Sequence, residues 1–309
     1  MKIYAIIVTY NAMRRGWIDR CLNSLYASTI PVTVIVVDNL STDGTRDHVP
    51  EKYPDVIWMP QDKNLGFGQA NNIGIQYALE HNADYVLLLN QDAALHHEAL
   101  QLMLNEADGR SLVTPTHYNG KGDRLDYMFS IAIHNTEDAL TEEKILNDNL
   151  KNSYPAKEIC AACWLMPSSL IQMVGGFNPL FFQYSEDNNY YHRMVYHGLS
   201  TTIYVPRAKM FHDRQTFGNE IVFKKNFIRR ELLLMATNIN HSFIKCFAEW
   251  MRTLLRCYVY YLRRNQYSFG TFTKDSLWLI RNICEINKSR KKEKKTGKTW
   301  LEDEHTIRS

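Results

Sequence analysis

The chain has 309 residues, 45% of them hydrophobic, enough to bury one large core or two modest ones, which sets disorder aside. Its 36 basic and 33 acidic residues leave a formal charge of only +3, which argues against a bulk nucleic-acid binder. The opening residues, MKIYAIIVTYN, lack the charged region, long apolar core and small-residue cleavage site of a secretory leader, so a cytoplasmic protein is expected.

Residues 3–8 (IYAIIV) are a β-rich apolar run, residues 17–27 carry helical spacing, and residues 32–37 (VTVIVV) form a second buried strand ending at Asp38. A turn (NLSTDGT) and a short helix lead to a third strand over 56–59. A glycine-rich loop (NLGFGQANNIG, 64–74), a helix over 69–81 and a strand within YVLLLNQDAAL (85–95) follow. This alternation predicts an α/β fold with a mostly parallel, Rossmann-like sheet flanked by helices. Ligands of such sheets bind beyond the carboxyl ends of the strands. Those ends carry Thr9, Tyr10 and Asn11, then Asp38, Asn39 and Ser41, then Asn90, Gln91 and Asp92, all polar groups suited to holding a ligand. Gly66 and Gly68 permit positive φ or close backbone approach. The dinucleotide fingerprint is absent, because TYNAMRRG occupies the turn after the first strand, and no GxxxxGK[ST] loop occurs.

Cys160 and Cys163, in EICAACWLMP, form a lone CxxC inside an apolar segment, which favours a packed strand over a zinc site. Farther on, GGFNPLFFQYSEDNNYYHR (175–193) combines a glycine turn, an aromatic wall and two acids, Glu186 and Asp187, at the start of a helix that stops at Gly198. A helix N-terminus stabilises a carboxylate, so capping alone accounts for one acid while the other faces a pocket. A strand over 201–205 precedes His212. From residue 221 the chain is helical. The segment 243–264 mixes large apolar residues with Lys245, Glu249, Arg252 and Arg256, which excludes a spanning helix and leaves packing, a homodimer contact or a peripheral membrane contact open. The basic run KSRKKEKKTGK (288–298) is expected to be solvated and mobile. The organisation is thus 1–220 as a catalytic domain, 221–287 as a helical region and 288–309 as a basic tail.

The series IIVTYN, VVDNLSTDGT, NLGFGQANNIG and LLLNQDA, in this order and spacing, resembles the N-terminal half of family 2 inverting glycosyltransferases with the A-type nucleotide-sugar (GT-A) fold, over roughly residues 3–217. The glycine-rich loop is similar to that of bacterial rhamnosyltransferases using a dTDP-sugar. The resemblance implies a nucleotide-sugar donor (dTDP- or UDP-linked), a divalent metal (Mg2+ or Mn2+) and a glycan or lipid-linked acceptor. It implies nucleoside contacts from Thr9 and Asp38, a nucleotide-side lining of Asn64, Gly68 and Asn72, and Asp92 as the surviving acid of a DxD-type metal motif. Asn90 stands where the first acid of that motif falls, so another ligand is needed, and His212 is the candidate. The ED pair maps the general base onto Asp187. Asn189 replaces an acid common in relatives. Trp164 is a candidate acceptor platform, with buried packing as the alternative. A sugar-phosphate nucleotidyltransferase and a non-catalytic carbohydrate-binding relative remain as rival classes.

Overall fold

The computed structural model describes residues 1–134, 140–147, 150–214, 220–262 and 269–301. Nine strands form one sheet: β1 (Ile3–Thr9), β2 (Thr33–Asp38), β3 (Ile57–Pro60), β4 (Tyr85–Leu89), β5 (Ala93–Leu95), β6 (Leu112–Asn119), β7 (Tyr154–Ala156), β8 (Cys163–Pro167) and β9 (Thr202–His212). Their order is β3-β2-β1-β4-β8-β6-β9-β5, with β7 added against β9. The first four strands are parallel, as the alternating pattern predicts. Beyond β4 the sheet is mixed, since β8 runs antiparallel to both β4 and β6, and β5 antiparallel to β9.

Strand periodicity divides the core. Ile3, Ala5 and Ile7 of β1, with Val34 and Val36 of β2, face one layer that includes Ile18, Cys21, Leu22 and Leu25 of α1 (Trp17–Tyr26). Tyr4, Ile6, Ile35 and Val37 face the opposite layer, against Ala70, Ile75 and Ala78 of α3 (Gly66–Glu80). Between these helices lies α2 (Thr45–Lys52). The remaining helices before residue 220 are α4 (Ala99–Glu106), α5 (Tyr127–Ile133), α6 (Glu142–Asn147), α7 (Ser168–Val174) and α8 (Glu186–Tyr196). The last two pack on the α3 side through Leu170, Ile171, Tyr190 and Met194.

Four helices follow: α9 (Glu220–Thr237), α10 (Phe243–Leu262), α11 (Phe269–Arg281) and α12 (Ile283–Glu293). Leu232, Leu233, Trp250, Leu279 and Ile286 join them in one buried cluster, which also takes Phe181 from the segment leading into α8. No helix among the described residues is long and apolar enough to cross a membrane. The expectation of a solvated tail from residue 288 is corrected for 288–301, while 302–309 lie outside the described residues. The first half of the charge run lies on α12, whose Arg290 and Glu293 are buried. Arg290 donates to the carbonyls of Ala236, Asn238 and His241, and Glu293 lies beside buried Arg193 of α8. Leu301 then enters the core against α3 and α7, and Gly176 donates its amide to Thr299 O at 2.8 Å. Composition alone hides this, because the two charges that anchor the helix look like the solvated ones around them.

Candidate active site

The ends of β1 and β2 are tied together by buried polar groups. Thr9 Oγ1 donates to Asp38 Oδ1 at 3.0 Å, and Asp38 Oδ2 accepts from the Ser41 amide at 3.1 Å and from Arg46 Nε at 2.7 Å. Ser41 Oγ in turn accepts the Asn11 amide at 2.9 Å. Thr9 and Asp38 are fully enclosed, and Asn39 and Ser41 nearly so. Thr9, Asp38, Asn39 and Ser41 thus use these polar atoms to shape the loops at the strand ends, a positioning role beside the ligand contacts expected of them. What the strand ends present outward is Tyr10, 49% exposed, with Asn11 beside it at φ 52°. Gln91 crosses from the end of β4 to hold Tyr10, accepting its amide at 2.8 Å and donating to its carbonyl at 3.2 Å.

The glycine-rich segment is a helix start rather than a ligand loop. Asn64 Oδ1 accepts the Gly66 amide at 2.9 Å, and Asn39 brackets the turn by accepting from Leu65 N and donating to Gly66 O. Gly66 has φ 78°, and a Cβ there would meet Phe182 O at 1.9 Å. A Cβ on Gly68 would meet Phe177 Cβ at 2.8 Å. Asn72 is buried, donates to Phe177 O at 2.8 Å and accepts the Phe177 amide at 2.7 Å. Gly66, Gly68 and Asn72, expected on the nucleotide, dock α3 against residues 177–182. The same glycine chemistry serves close approach, but to protein backbone.

The two expected metal ligands do meet. Antiparallel pairing sets Ala93 opposite His212, and the Asp213 amide donates to Asp92 O at 2.8 Å, so Asp92 Oδ1 lies 3.3 Å from His212 Nε2. The Asn90 amide group lies 3.4 Å from the same nitrogen. On the other side His212 Nδ1 is 3.5 Å from Asp126 Oδ2, an ion-pair contact rather than a hydrogen bond, and Arg214 Nε donates to that oxygen at 3.1 Å. Burial works against the charge of His212, yet Asp126 and Asp92 outweigh it and raise its pKa. Burial likewise raises the Asp92 carboxyl, but the hydrogen bond and charge of His212 bring it below the ordinary value.

This corner is thus built to hold positive charge between carboxylates, which is what a divalent cation supplies. Cis ligands at about 2.1 Å from a metal sit about 3 Å apart, consistent with the Asp92 to His212 separation. Among the described residues, the one cluster of three ligating side chains within 4.8 Å is elsewhere, at half-buried His96 and exposed His97 and Glu98. Asp92 and His212 could supply two ligands to a cation, which would need further oxygens from a bound diphosphate or water. Asp126 and Arg214 were missed in the sequence. Asp126 does carry a helix-cap signal, and its Oδ1 accepts from Met128 N and Phe129 N at the start of α5, but nothing local to it announces the histidine.

The acids of α8 follow two consecutive residues in left-handed conformation, Tyr184 (φ 68°) and Ser185 (φ 67°). Such strain collects at functional sites. Ser185 makes no side-chain cap, and Glu186 and Asp187 fill the first turn. Glu186 is buried with Oε2 unpartnered, and burial together with the neighbouring Asp187 pushes its pKa well above the usual carboxylate range. Asp187 is half-buried by surface area. Its Oδ2 accepts the Ala161 amide at 3.3 Å and its Oδ1 the Asn188 amide at 2.9 Å, but burial still raises its pKa. A carboxylate of raised basicity with one partly open face can accept a proton; its protonated, enclosed neighbour cannot.

Trp164 is 2% exposed, donates to Ile159 O at 3.0 Å and stacks on Phe177, so the acceptor-platform expectation is corrected to core packing. The CxxC segment is a strand entry with free thiols, Cys163 opening β8. Its alanines join the two acidic corners: Ala161 donates to Asp187, and the Asn90 amide donates to Ala162 O at 3.0 Å.

Comparison with known proteins agrees with this geometry. Residues 4–172 match the family described as Glycosyl transferase family 2. An N-acetylglucosaminyl-diphospho-decaprenol L-rhamnosyltransferase of Mycobacterium tuberculosis is 25% identical over 225 residues, 64% of this chain and 72% of that protein. A dTDP-rhamnosyl transferase, RfbF, of Shigella flexneri is 24% identical over 213 residues, 68% of this chain and 69% of its own. In fold, the chain is similar to the mannosyltransferase PcManGT from Pyrobaculum calidifontis, solved with GDP-Man and Mn2+, with a TM-score of 0.56 at 16% identity, covering 94% of this chain and 84% of that one.

Proposed function

The chain belongs to glycosyl transferase family 2 and has the GT-A fold, and from that premise we propose that it is an inverting hexosyltransferase that moves a sugar from a nucleotide diphosphate to a hydroxyl of a glycan or lipid-linked acceptor. Rhamnose from a dTDP-sugar is the donor favoured by the names of the two rhamnosyltransferase relatives. One observation carries the reading: Ala161 and Ala162, neighbours in sequence, touch the base candidate Asp187 and the strand end that bears Asp92, which brings the two acidic corners close enough to serve one substrate.

At that site Tyr10, Asn11 and Gln91 face the nucleotide, held by the buried Thr9, Asp38, Asn39 and Ser41 network. Asp92 and His212 would hold the divalent metal, Mg2+ or Mn2+, with Asp126 orienting the histidine. When bound, the metal offsets the charge that develops on the departing diphosphate. Asp187 takes the proton from the acceptor hydroxyl as its oxygen attacks the anomeric carbon from the face opposite the leaving group, which inverts the configuration. A positioned base is worth about 10²–10⁴ in rate, roughly 3–5 kcal/mol of barrier. Glu186, kept neutral by burial, leaves Asp187 as the single anion of the pair. The test is release of dTDP or UDP from a panel of nucleotide sugars, with and without candidate acceptors. Acceptor-dependent release from one donor supports the reading, and absence of nucleotide binding across the panel would overturn it.

A further inference from the structure

We propose that the outward face of α10 docks in the plane of an anionic lipid bilayer. Five apolar side chains, Ile244, Phe247, Met251, Leu255 and Val259, recur at steps of three and four along this helix, and each is exposed, from 81% at Ile244 to 41% at Met251. At 3.6 residues per turn those steps draw a single stripe along the helix. The stripe is not spare packing for the helical region, because Cys246 and Trp250 on the other side of the helix are buried and Trp250 sits in the cluster with Leu232, Leu233, Leu279 and Ile286. Ile280 and Ile283, 52% and 36% exposed, extend the apolar surface onto α11 and α12.

Charge identifies the occupant. Lys245, Arg252 and Arg256 each follow a stripe residue by one position, so they form a basic rail about 100° around the helix from the apolar line, and all three are exposed. The outer face of α12 adds exposed Lys291 and Lys288, the latter paired with Glu285 at 2.7 Å, and exposed Lys294 and Lys295 follow the end of the helix, while Glu293, an acid amid them, is turned inward to Arg193. An apolar line edged by lysine and arginine suits a layer that is hydrocarbon below and anionic phosphate above. A second copy of this chain offers no anionic layer at the same face. The surface is also coupled to the catalytic segment, since Phe181 shares the Trp250 cluster and the Arg230 guanidinium lies 4.7 Å over the Tyr184 ring. Docking here would hold the cleft beside the leaflet that carries a lipid-linked acceptor; that last consequence rests on the proposed function, whereas the docking itself does not.

Flotation of the full chain with vesicles tests it. The chain is expected to float with phosphatidylcholine vesicles containing phosphatidylglycerol, to lose that binding at high salt, and to stay unbound with phosphatidylcholine alone. The pair Ile244→Glu and Leu255→Glu removes flotation without changing the melting temperature, and the pair Arg252→Glu and Arg256→Glu weakens it about tenfold or more. Asp187→Asn floats like the unsubstituted chain, which separates this inference from the catalytic one. No flotation with anionic vesicles, equal flotation with neutral ones, or a solution dimer that the stripe substitutions dissociate would each overturn the proposal.

Discussion

Asn90 and Asp187 are linked through two adjacent alanines: the Asn90 amide donates to Ala162 O at 3.0 Å, and the Ala161 amide donates to Asp187 Oδ2 at 3.3 Å. The proposed base is thus referenced to the end of β4 through rigid backbone, which is how a carboxylate is kept within working distance of a strand-end ligand.

Asp187→Asn keeps the size of the side chain and removes its basicity. Transfer should fall by about 10²–10⁴ while donor binding, measured by calorimetry, stays within a few fold. Because burial raises the Asp187 pKa, the acid limb of kcat/KM should lie above the ordinary aspartate value of about 3.9. A limb at or below that value, or near-normal turnover in the variant, would remove Asp187 from the role.

Glu186 gives a pH dependence of stability with a definite sign. Its pKa is raised by burial in the folded chain, so between the unfolded value and the folded one the native state binds more protons than the unfolded state. Stability from this group therefore falls as pH rises through that window. Glu186→Gln removes the loss, so its melting temperature relative to the unsubstituted chain should climb as pH rises above the unfolded carboxyl value of about 4.3. A constant difference across the range would show that Glu186 ionises freely.

Asp126 is the buried partner of a proposed metal ligand, and Asn at that position preserves the helix cap, since Asn and Asp cap comparably. What Asp126→Asn removes is the charge behind His212 Nδ1. Mn2+ affinity, titrated directly with dTDP present, should weaken about 10–100-fold, with the far-ultraviolet circular dichroism unchanged. Unaltered Mn2+ binding would confine Asp126 to capping.

Much of this arrangement was legible in the sequence. The parallel strands β1 to β4 follow from short β-branched runs separated by helical spacing, and the pairing of Asp92 with His212 follows from family resemblance at both positions. The mixed half of the sheet was not legible, because β6, β8 and β9 are buried runs whose direction depends on partners far away in sequence. Polar residues at strand ends and in the glycine-rich segment are expected to contact ligand, and the hydrogen bonds of Thr9, Asp38 and Asn72 run to the scaffold. A one-dimensional pattern places a side chain at the cleft without revealing whether it faces in or out.

Gly66→Ala tests the scaffold reading of the glycine segment. Alanine at φ 78° is strained, and its Cβ would fall 1.9 Å from Phe182 O, a backbone atom that cannot swing aside. The expected cost is about 2–4 kcal/mol, read as a lowered denaturant midpoint. Weakened nucleotide binding at unchanged stability would instead favour the ligand-loop expectation.

The last prediction concerns the basic C-terminal run, where the amino-acid pattern and the packing point in opposite directions. Arg193 and Glu293 are both fully enclosed, 3.9 Å apart, and the guanidinium also donates to the carbonyls of Val174 and Gly176 in the turn that leads to the catalytic segment. Glu293 further accepts from Asn178 Nδ2 at 2.7 Å. Removing the acid leaves a buried cation with no anion to balance it, so Glu293→Ala should destabilise the chain by about 3–5 kcal/mol. Glu293→Gln keeps the shape and one acceptor and should cost less. A chain ended after residue 287 would lose Glu293 and the Leu301 contact together and should show a much lower melting temperature than either single variant. If the shortened chain melts like the full one, α12 is an appendage and the solvated-tail expectation stands.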